Sequence, residues 1–319
     1  MKSFLASFLV LLFVLTAIIP MQAQYNQVNL KLDQQTPQNK YRFEKLQLYP
    51  IRANQAFEEY HKDVSSYVIL KEALEKKKVA ITEYNGRSGG EVNTLYIENI
   101  SKDTIMVLSG EVVQGGKQDR VIAQDFVLYP HSGKKDISVF CVEHGRWQQK
   151  EDGMAFNNYF SISSNEVRKA ATVSKDQQTV WMKVAETTDK NKASTSTGTL
   201  AALQRSGSFN DELKKYMTHF GKIIGQENDV IGVVAVSGDQ ILGCDMFASH
   251  NLFNKHYTNL LNSYATEAIT SGKEVTVSYD RVQKYLQSII ADESKQDNEV
   301  YKKGTMLKDG NRKIHISTF

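Results

Sequence analysis

The chain has 319 residues, a nearly balanced charge and only two cysteines, and these features exclude several classes of protein. Its 39 basic and 36 acidic residues give a formal net charge of +3 and are mixed along the chain, which argues against a nucleic-acid-binding surface. Two cysteines do not make a disulfide framework, and they leave open one disulfide between Cys141 and Cys244 or two buried free thiols.

Residues 1–23 have the order of a secretory signal peptide. Lys2 precedes an apolar run from Phe4 to Ile19, and a stretch ending in small residues stops at Ala23. The apolar run is shorter than the roughly 18 or more residues of a membrane-spanning helix. The sequence therefore predicts export to the periplasm or beyond, with no stable membrane span after cleavage; an uncleaved anchor is the alternative.

The next two segments are a predicted leader, 24–40, and a β-rich half, 41–150. The leader is polar and weakly patterned, so we expect it to be loosely ordered. Apolar residues at helical spacing predict a helix in 64–78. Alternating runs predict strands at 79–83, 94–99, 104–108, 111–113, 121–128 and 136–142. The connectors are rich in Gly, Asn, Asp and Ser, which is typical of an antiparallel meander folded into a small sandwich or barrel.

The segment 151–319 is predicted to be rich in helices. Helical periodicity indicates helices around 177–186, 213–224, 252–269 and 279–291. Two strands are expected to meet at a turn at 238–239, and a last hairpin at 309–310. The Ser/Thr-rich stretch 191–199 reads as a mobile surface loop. We therefore predict an α+β fold in which both halves form one composite domain.

The stretch SGEVVQGGKQDRV, 109–121, places two glycines and a dense group of polar residues in an apolar region. If Gly115 and Gly116 form a two-residue turn, Glu111 pairs with Arg120 across the hairpin. One face then carries Glu111, Val113, Gln118 and Arg120. This pattern fits a surface hairpin with an ion pair, or a face directed into a cavity that holds a small polar ligand. Lys117 and the glycine amides are additional candidates to receive an anion.

A second dense stretch, ISVFCVEHGRWQ, covers 137–148. In a regular strand the side chains of Cys141 and His144 point apart, so these residues do not predict a thiol–imidazole pair. Cys141 is expected to be a buried apolar residue. Glu143, Arg146 and Trp147 follow the strand, where functional sites often collect, although Trp147 also fits a place in the core.

Several motifs together resemble the domain family associated with ADP-ribosylglycohydrolase and rhodanese-phosphatase proteins. They are KEALEKKKVAITE, VLSGEVVQGGKQDR, ISVFCVEHGRW, QTVWMKV and VIGVVAVSGDQILGCDMFAS, and the likeness covers most of 41–290. The family has no established reaction. The resemblance implies one shared site at the family's signature positions, namely Glu111, Gly115, Gly116, Lys117, Gln118, Arg120, Cys141, Glu143, Gly145, Arg146 and Trp147. The family name associates it with nucleotide or ADP-ribose chemistry.

Three functions are compatible with the motifs. The first is an exported module that binds a small polar or anionic ligand through Gly115, Gly116, Lys117, Gln118, Arg120, Arg146 and Trp147. The second is a hydrolase of a nucleotide- or ADP-ribose-like substrate, with Glu111 and Glu143 as catalytic acid and base. The third is a structural envelope protein. The chain has no G-x-S-x-G motif and no metal-ligand spacing, so we expect no cofactor and no metal; the sequence names no protein partner.

Overall fold

The computed structural model describes residues 24–34, 37–84, 92–149, 153–221, 224 and 227–319, so the predicted signal peptide, 1–23, lies outside the described residues. The strands are β1 (Leu30–Leu32), β2 (Arg42–Phe43), β3 (Leu46–Ala53), β4 (Val68–Ile69), β5 (Val79–Glu83), β6 (Thr94–Asn99), β7 (Ile105–Val107), β8 (Glu111–Gln114), β9 (Arg120–Ile122), β10 (Phe126–Leu128), β11 (Gly133–Cys141), β12 (Asn158–Ile162), β13 (Val230–Ser237), β14 (Gln240–Phe247), β15 (Gly304–Asp309) and β16 (Arg312–Thr318). The α-helices are α1 (Gln55–Tyr60), α2 (Leu70–Glu75), α3 (Asn165–Lys169), α4 (Gln177–Lys190), α5 (Gly207–Phe220), α6 (His250–Ser271), α7 (Tyr279–Ile290) and α8 (Glu293–Tyr301).

The largest sheet has seven strands and lies between two layers of helices. Its order is β1-β3-β13-β14-β16-β15, β2 is added on β3, and the pairs are antiparallel. Strand β13 is buried along its whole length, as expected where a strand is covered on both faces. Tyr216 of α5 and Leu260 of α6 belong to the core on one face, and Leu286 of α7 and Val300 of α8 to the core on the other.

The second large sheet curls into a half-barrel. Its six strands have the order β12-β8-β9-β11-β6-β5. Its two edges are linked through the residues before β12, because Glu83 donates its backbone N–H to the carbonyl of Met154, and Phe156 to that of Ile81. Apolar side chains, among them Leu95, Ile97, Val113 and Val139, fill its interior. The predicted α+β class is confirmed.

Two predicted elements differ from the structure in extent. The strand predicted over 121–128 is divided into β9, in the half-barrel, and β10, in a separate sheet of order β10-β7-β4. The helix predicted over 64–78 is shortened to α2. Val68 and Ile69 precede it and pair with β7 as the parallel strand β4, so their β-branched side chains are used in a sheet instead of a helix.

The segment 24–40, predicted to be a loosely ordered leader, is anchored in its described part. Tyr25 is buried, its ring meets the ring of Phe57 edge-on at 5.1 Å, and its hydroxyl donates to the carbonyl of Ile314 at 3.0 Å. Strand β1 pairs with β3. The anchoring depends on a few apolar residues in a polar segment, which are too sparse to give a periodic signal.

Strands from the two predicted halves, before and after residue 150, pair with each other in the same sheets. Strand β3 lies between β1 and β13, and β12 pairs with β8. Of the two alternatives for the cysteines, the structure has free thiols, since Cys141 and Cys244 are both buried and unpaired with each other. Within the described ranges, no helix is long and apolar enough to cross a membrane.

Candidate functional site

The hairpin between β8 and β9 has a longer loop than the sequence predicted. Val113 pairs with Arg120 and Val112 with Val121, so the loop comprises 114–119. The predicted cross-strand pair of Glu111 and Arg120 is therefore wrong. The loop is closed by a side chain instead of a two-residue turn, because the Asp119 carboxylate accepts the backbone N–H of Gly115 at 3.2 Å.

Polar side chains from several strand ends meet at the loop end of the half-barrel. Strand β5 ends at Glu83, and Arg120 at the start of β9 pairs with Cys141 at the end of β11, so that their side chains share the interior face. We name this group the mouth cluster, and it consists of Glu83, Asp119, Arg120, Cys141, Glu143 and Arg146. The structure thus unites Arg120, Glu143 and Arg146 from the two sequence motifs and adds two carboxylates to them.

Arg146 clamps the hairpin loop onto the end of β11. Its guanidinium donates to five acceptors within 3.2 Å, which are Glu143 Oε2, Asp119 Oδ1 and the carbonyls of Gly115, Gly116 and Gln148. A guanidinium has five N–H donors, so Arg146 has none left for a ligand. Its role in this geometry is to fix the loop.

Arg120 is in the opposite situation. Its side chain is fully buried, and Nη1 donates to the carbonyl of Gln118 at 2.7 Å. Nε and Nη2 have no hydrogen-bond partner among the residues that the structure describes, and the nearest ion-pair partner, Glu83, lies 3.8 Å from Nη2. A buried donor without a hydrogen-bond partner costs about 1–3 kcal/mol, and two such donors on one guanidinium distinguish Arg120 from Arg146.

The backbone amides of the loop donate to acceptors within the protein. Gly116 has a φ of 47°, and its N–H donates to the carbonyl of Ala155 at 3.0 Å. The N–H of Gly115 is occupied by Asp119, and that of Lys117 donates to Glu83 Oε1 at 2.6 Å. These three amides are therefore directed at protein acceptors.

Lys117, Gln118 and Trp147 have different positions around the cluster. The side-chain amide of Gln118 is buried and donates to the carbonyl of Glu143 at 2.7 Å, so it holds the loop. The Lys117 ammonium lies 5.1 Å from the centre of the Trp147 ring, and Trp147 is 50% exposed. Trp147 is thus not a core residue, and with Lys117 it forms the solvent-facing rim of the mouth cluster.

Glu111 lies at the other end of β8, roughly 10 Å from the loop at the usual rise per residue. Its carboxyl group is buried and accepts the backbone N–H of Leu108 at 2.8 Å and the hydroxyl of Tyr159 at 3.2 Å. Burial raises the pKa of Glu111 to about 8. The two candidate catalytic carboxylates, Glu111 and Glu143, are therefore not in one site.

A second buried polar group, which sequence reasoning missed, lies between the sheets. We name it the Asp245 network, and its members are Asp125, Arg168, Asp245, Tyr264 and His315. Arg168 donates to both carboxylate oxygens of Asp245, at 3.0 and 3.1 Å, and His315 Nε2 lies 2.9 Å from Asp245 Oδ1. Tyr264 also donates to Asp245. The available signal was a charged residue inside each of two apolar strands, GCDMF and KIHIS.

The charged groups of this network stabilise one another's ionised forms. Burial disfavours the ionised form of Asp245, but the Arg168 guanidinium and His315 outweigh it and hold the pKa of Asp245 below its usual range. Burial alone would lower the pKa of His315. The carboxylates of Asp125 and Asp245 outweigh this effect and raise its pKa. The network therefore behaves as a paired set of charges in the interior.

The stretch 191–199 was predicted to be a mobile loop, but the structure holds it against the second motif. Gly145 donates its N–H to the carbonyl of Thr197 at 2.8 Å, and Thr199 forms an isolated β-bridge with Glu143. The Thr199 hydroxyl also donates to Asp119. Small polar residues give no periodic signal, which is why the sequence did not indicate these contacts.

Cys141 is a structural member of the cluster. It is buried, and burial raises its thiol pKa to about 11, so the thiol is protonated and not nucleophilic at neutral pH. Over the part of the chain that the structure describes, no group of three or more His, Cys, Asp or Glu side chains has a geometry that would hold a metal ion.

A sequence model of the ARG and Rhodanese-Phosphatase-superfamily-associated Protein domain matches residues 34–317. This range includes both motifs, the mouth cluster and the Asp245 network. Neither a curated protein nor a solved structure matched the chain. The chain belongs to the ARG and Rhodanese-Phosphatase-superfamily-associated Protein domain family.

Proposed function

We propose that this member of the family is an exported protein that binds a small polar ligand at the mouth cluster of its half-barrel. The observation that carries the proposal is the buried Arg120 guanidinium, of which Nε and Nη2 have no hydrogen-bond partner among the described residues, Nη2 lying 3.8 Å from its ion-pair partner Glu83. The mouths of curled sheets are frequent ligand sites. The apolar run from Phe4 to Ile19 supports export.

The charge of the mouth cluster favours a ligand with a compact hydrogen-bond acceptor over a multiply charged anion. Three carboxylates, those of Glu83, Asp119 and Glu143, lie with the two guanidinium groups of Arg120 and Arg146. A phosphate would be repelled by the carboxylates in this poorly screened place. A carbonyl, a hydroxyl or a single carboxylate meets the free donors of Arg120 with less repulsion.

The hydrolase alternative receives less support from the geometry. Glu143 is bound by Arg146 and also accepts the backbone N–H of Asp119 at 3.3 Å, so it is held as an ion-pair partner and not as a free base. Glu111 has the raised pKa of a general acid but lies at the other end of β8. An acid and a base need to reach one substrate.

The proposal is tested by titration of the purified protein with acetate, D-ribose, ribose 5-phosphate, ADP-ribose and inorganic phosphate. Binding is followed by calorimetry and by tryptophan fluorescence, to which Trp147 and Trp181 both contribute. Lys117→Ala and Trp147→Ala alter only the rim, and Arg120→Lys shortens the reach of the buried donors. Lys134→Ala is the matched control, because its ammonium also lies over an aromatic ring, that of Tyr96 at 5.9 Å.

We expect saturable binding of acetate or ribose, at least tenfold weaker in both rim variants and in Arg120→Lys, and unchanged in Lys134→Ala. Calorimetry supplies the readout for Trp147→Ala. A panel without any saturable binding, or equal affinity in all four variants, would refute the binding role and favour a purely structural clamp.

A further inference from the structure

A cavity of about 160 Å³ lies away from the mouth cluster, between the edge of the half-barrel and the helices. Strand β12 forms one wall, and α5, α6 and the 3-10 turn Leu200–Arg205 form the others. None of the mouth-cluster residues lines it. Its function is therefore independent of the proposed binding at Arg120.

A β-bulge gives the cavity its wall. The register between β12 and β8 shifts between Tyr159 and Ser161, so Phe160 is an extra residue in the strand. A bulge lets consecutive side chains point to the same side, and both Phe160 and Ser161 line the cavity. Bulges of this kind are common beside binding sites because they redirect a side chain.

Three serine hydroxyls in this wall are buried without a hydrogen-bond partner among the described residues. They belong to Ser161, Ser163 and Ser164, which are 6%, 2% and 2% exposed, and all three line the cavity. Ser164 precedes α3 but does not cap it with its side chain. Each hydroxyl is both a donor and an acceptor, so the wall offers several unused hydrogen bonds in a short stretch.

The backbone that carries these hydroxyls is fixed. The N–H of Ser163 donates to the carbonyl of Gly110 at 2.8 Å, and the hydroxyl of Ser263 in α6 donates to the carbonyl of Ser163 at 2.5 Å. The serine wall is therefore held between the half-barrel and α6. A site with a fixed backbone loses little entropy when it binds a ligand.

The remaining walls identify the class of ligand. Among the described residues that line the cavity there is no Asp, Glu, Lys, Arg or His. Leu203, Phe209 and Leu213 contribute apolar surface to the lining, and the uncharged polar side chains besides the serines are Gln204, Asn210, Asn262 and Thr266. An ion would lose its hydration without gaining a counter-charge. By the share of liquid volume of one water, about 30 Å³, the cavity holds roughly five waters or a molecule of similar size.

We propose that this cavity binds a small uncharged polyol of about three to five carbons. Its hydroxyls would exchange hydrogen bonds with Ser161, Ser163 and Ser164, and its C–H face would pack on Leu203 and Phe209. A polyol uses both kinds of wall at once, whereas a hydrocarbon leaves the hydroxyls unpaired and an ion leaves its charge uncompensated.

The test uses the full protein and the probes glycerol, erythritol, D-ribose and D-ribose 5-phosphate, with binding followed by saturation-transfer NMR and calorimetry. Ser161→Ala and Ser164→Ala each remove one hydroxyl, and Leu203→Phe fills the cavity. Ser132→Ala is the control, since the Ser132 hydroxyl oxygen is also buried and has no hydrogen-bond partner among the described residues but lies outside the cavity. Circular dichroism verifies the fold of each variant.

We expect saturable binding of glycerol or erythritol, at least fivefold weaker in each cavity serine variant, lost in Leu203→Phe and unchanged in Ser132→Ala. Ribose 5-phosphate should not compete. If Leu203→Phe does not fold, the serine variants decide the outcome. The proposal is overturned by absence of polyol binding, by equal binding of the phosphorylated sugar, or by equal affinity in the variants and the control. Because Lys117→Ala and Trp147→Ala lie outside the cavity, loss of glycerol and erythritol binding in those variants would assign these polyols to the mouth cluster and overturn the cavity site.

Discussion

Glu111 shows how one buried side chain changes the response of the protein to pH. Its carboxyl group accepts hydrogen bonds from Leu108 and Tyr159 and has no ion-pair partner among the described residues, and burial raises its pKa from 4.5 to about 8. The folded protein therefore keeps a proton on Glu111 at neutral pH, whereas the unfolded chain releases it. The unfolded state is favoured increasingly as pH rises from about 4.5 to about 8.

Glu111→Gln removes this titration while it keeps the size and polarity of the side chain. As pH rises from 5 to 8, the free energy of unfolding of the variant should increase relative to that of the wild type by roughly 2–4 kcal/mol, because each pKa unit corresponds to about 1.4 kcal/mol. Urea denaturation at both pH values measures the difference. Glu75→Gln, at an exposed position, is the control and should change little. If the free energies of unfolding of Glu111→Gln and the wild type differ by the same amount at pH 5 and pH 8, Glu111 is ionised in the folded protein.

At the scale of elements, the loop between β8 and β9 depends on close approach to the segment before β12. A Cβ on Gly116 would lie 2.4 Å from Glu83 Oε1 and 2.5 Å from the ring of Phe156. The φ of 47° is also unfavourable for any residue with a Cβ. The loop is thus packed against the half-barrel and is not a free surface turn.

Gly116→Ala should destabilise the protein by roughly 2–4 kcal/mol, as the sum of a left-handed backbone and overpacking. Gly310→Ala is the matched control. Gly310 has a φ of 59°, and among the described residues beyond its two chain neighbours no heavy atom lies within 4 Å of an added Cβ, so its cost should be only about 1–2 kcal/mol. If Gly116→Ala and Gly310→Ala lose the same stability in thermal or chemical denaturation, the loop around Gly116 relaxes to accommodate the added methyl group.

At the scale of the whole molecule, the Asp245 network joins segments that are distant in the chain. Arg168 comes from α3, Asp245 from β14 and His315 from β16, while Asp125 follows β9 of the half-barrel. Buried charges of this kind add little net stability as a set, but removal of one member leaves its partner uncompensated. The network therefore favours one particular packing arrangement between the two sheets.

Asp245→Asn should cost about 3–5 kcal/mol at neutral pH, because Arg168 stays buried without its counter-charge. Asp63→Asn is the comparison, since Asp63 makes a similar two-bond pair with Arg312 at 2.7 and 2.8 Å but is exposed, and should cost about 0.2–1 kcal/mol. The pKa of Asp245 is lowered on folding, so its contribution is complete above about pH 4 and is lost as pH falls further. Similar losses in both variants would indicate that solvent reaches the network.

The sequence by itself determined the local elements and the α+β class. Alternation marked β5 and β6 with the bounds that the structure has, and helical spacing marked α4, α6 and α7, because local periodicity records which side of an element is buried. The motifs also indicated Arg120, Glu143 and Arg146, and the structure places these three residues in one cluster. Those three residues lie near strand ends, where polar groups in an apolar pattern stand out.

Only the tertiary structure decided the register of the β8–β9 hairpin, the separation of Glu111 from Glu143, and the addition of Glu83 and Asp119 to the mouth cluster. Each depends on pairing between segments far apart in the chain. The curled sheet turns β5 back to the residues before β12, and side-chain closure by Asp119 sets the loop. Such contacts leave no period in the sequence, because their partners are selected by the packing of the whole molecule.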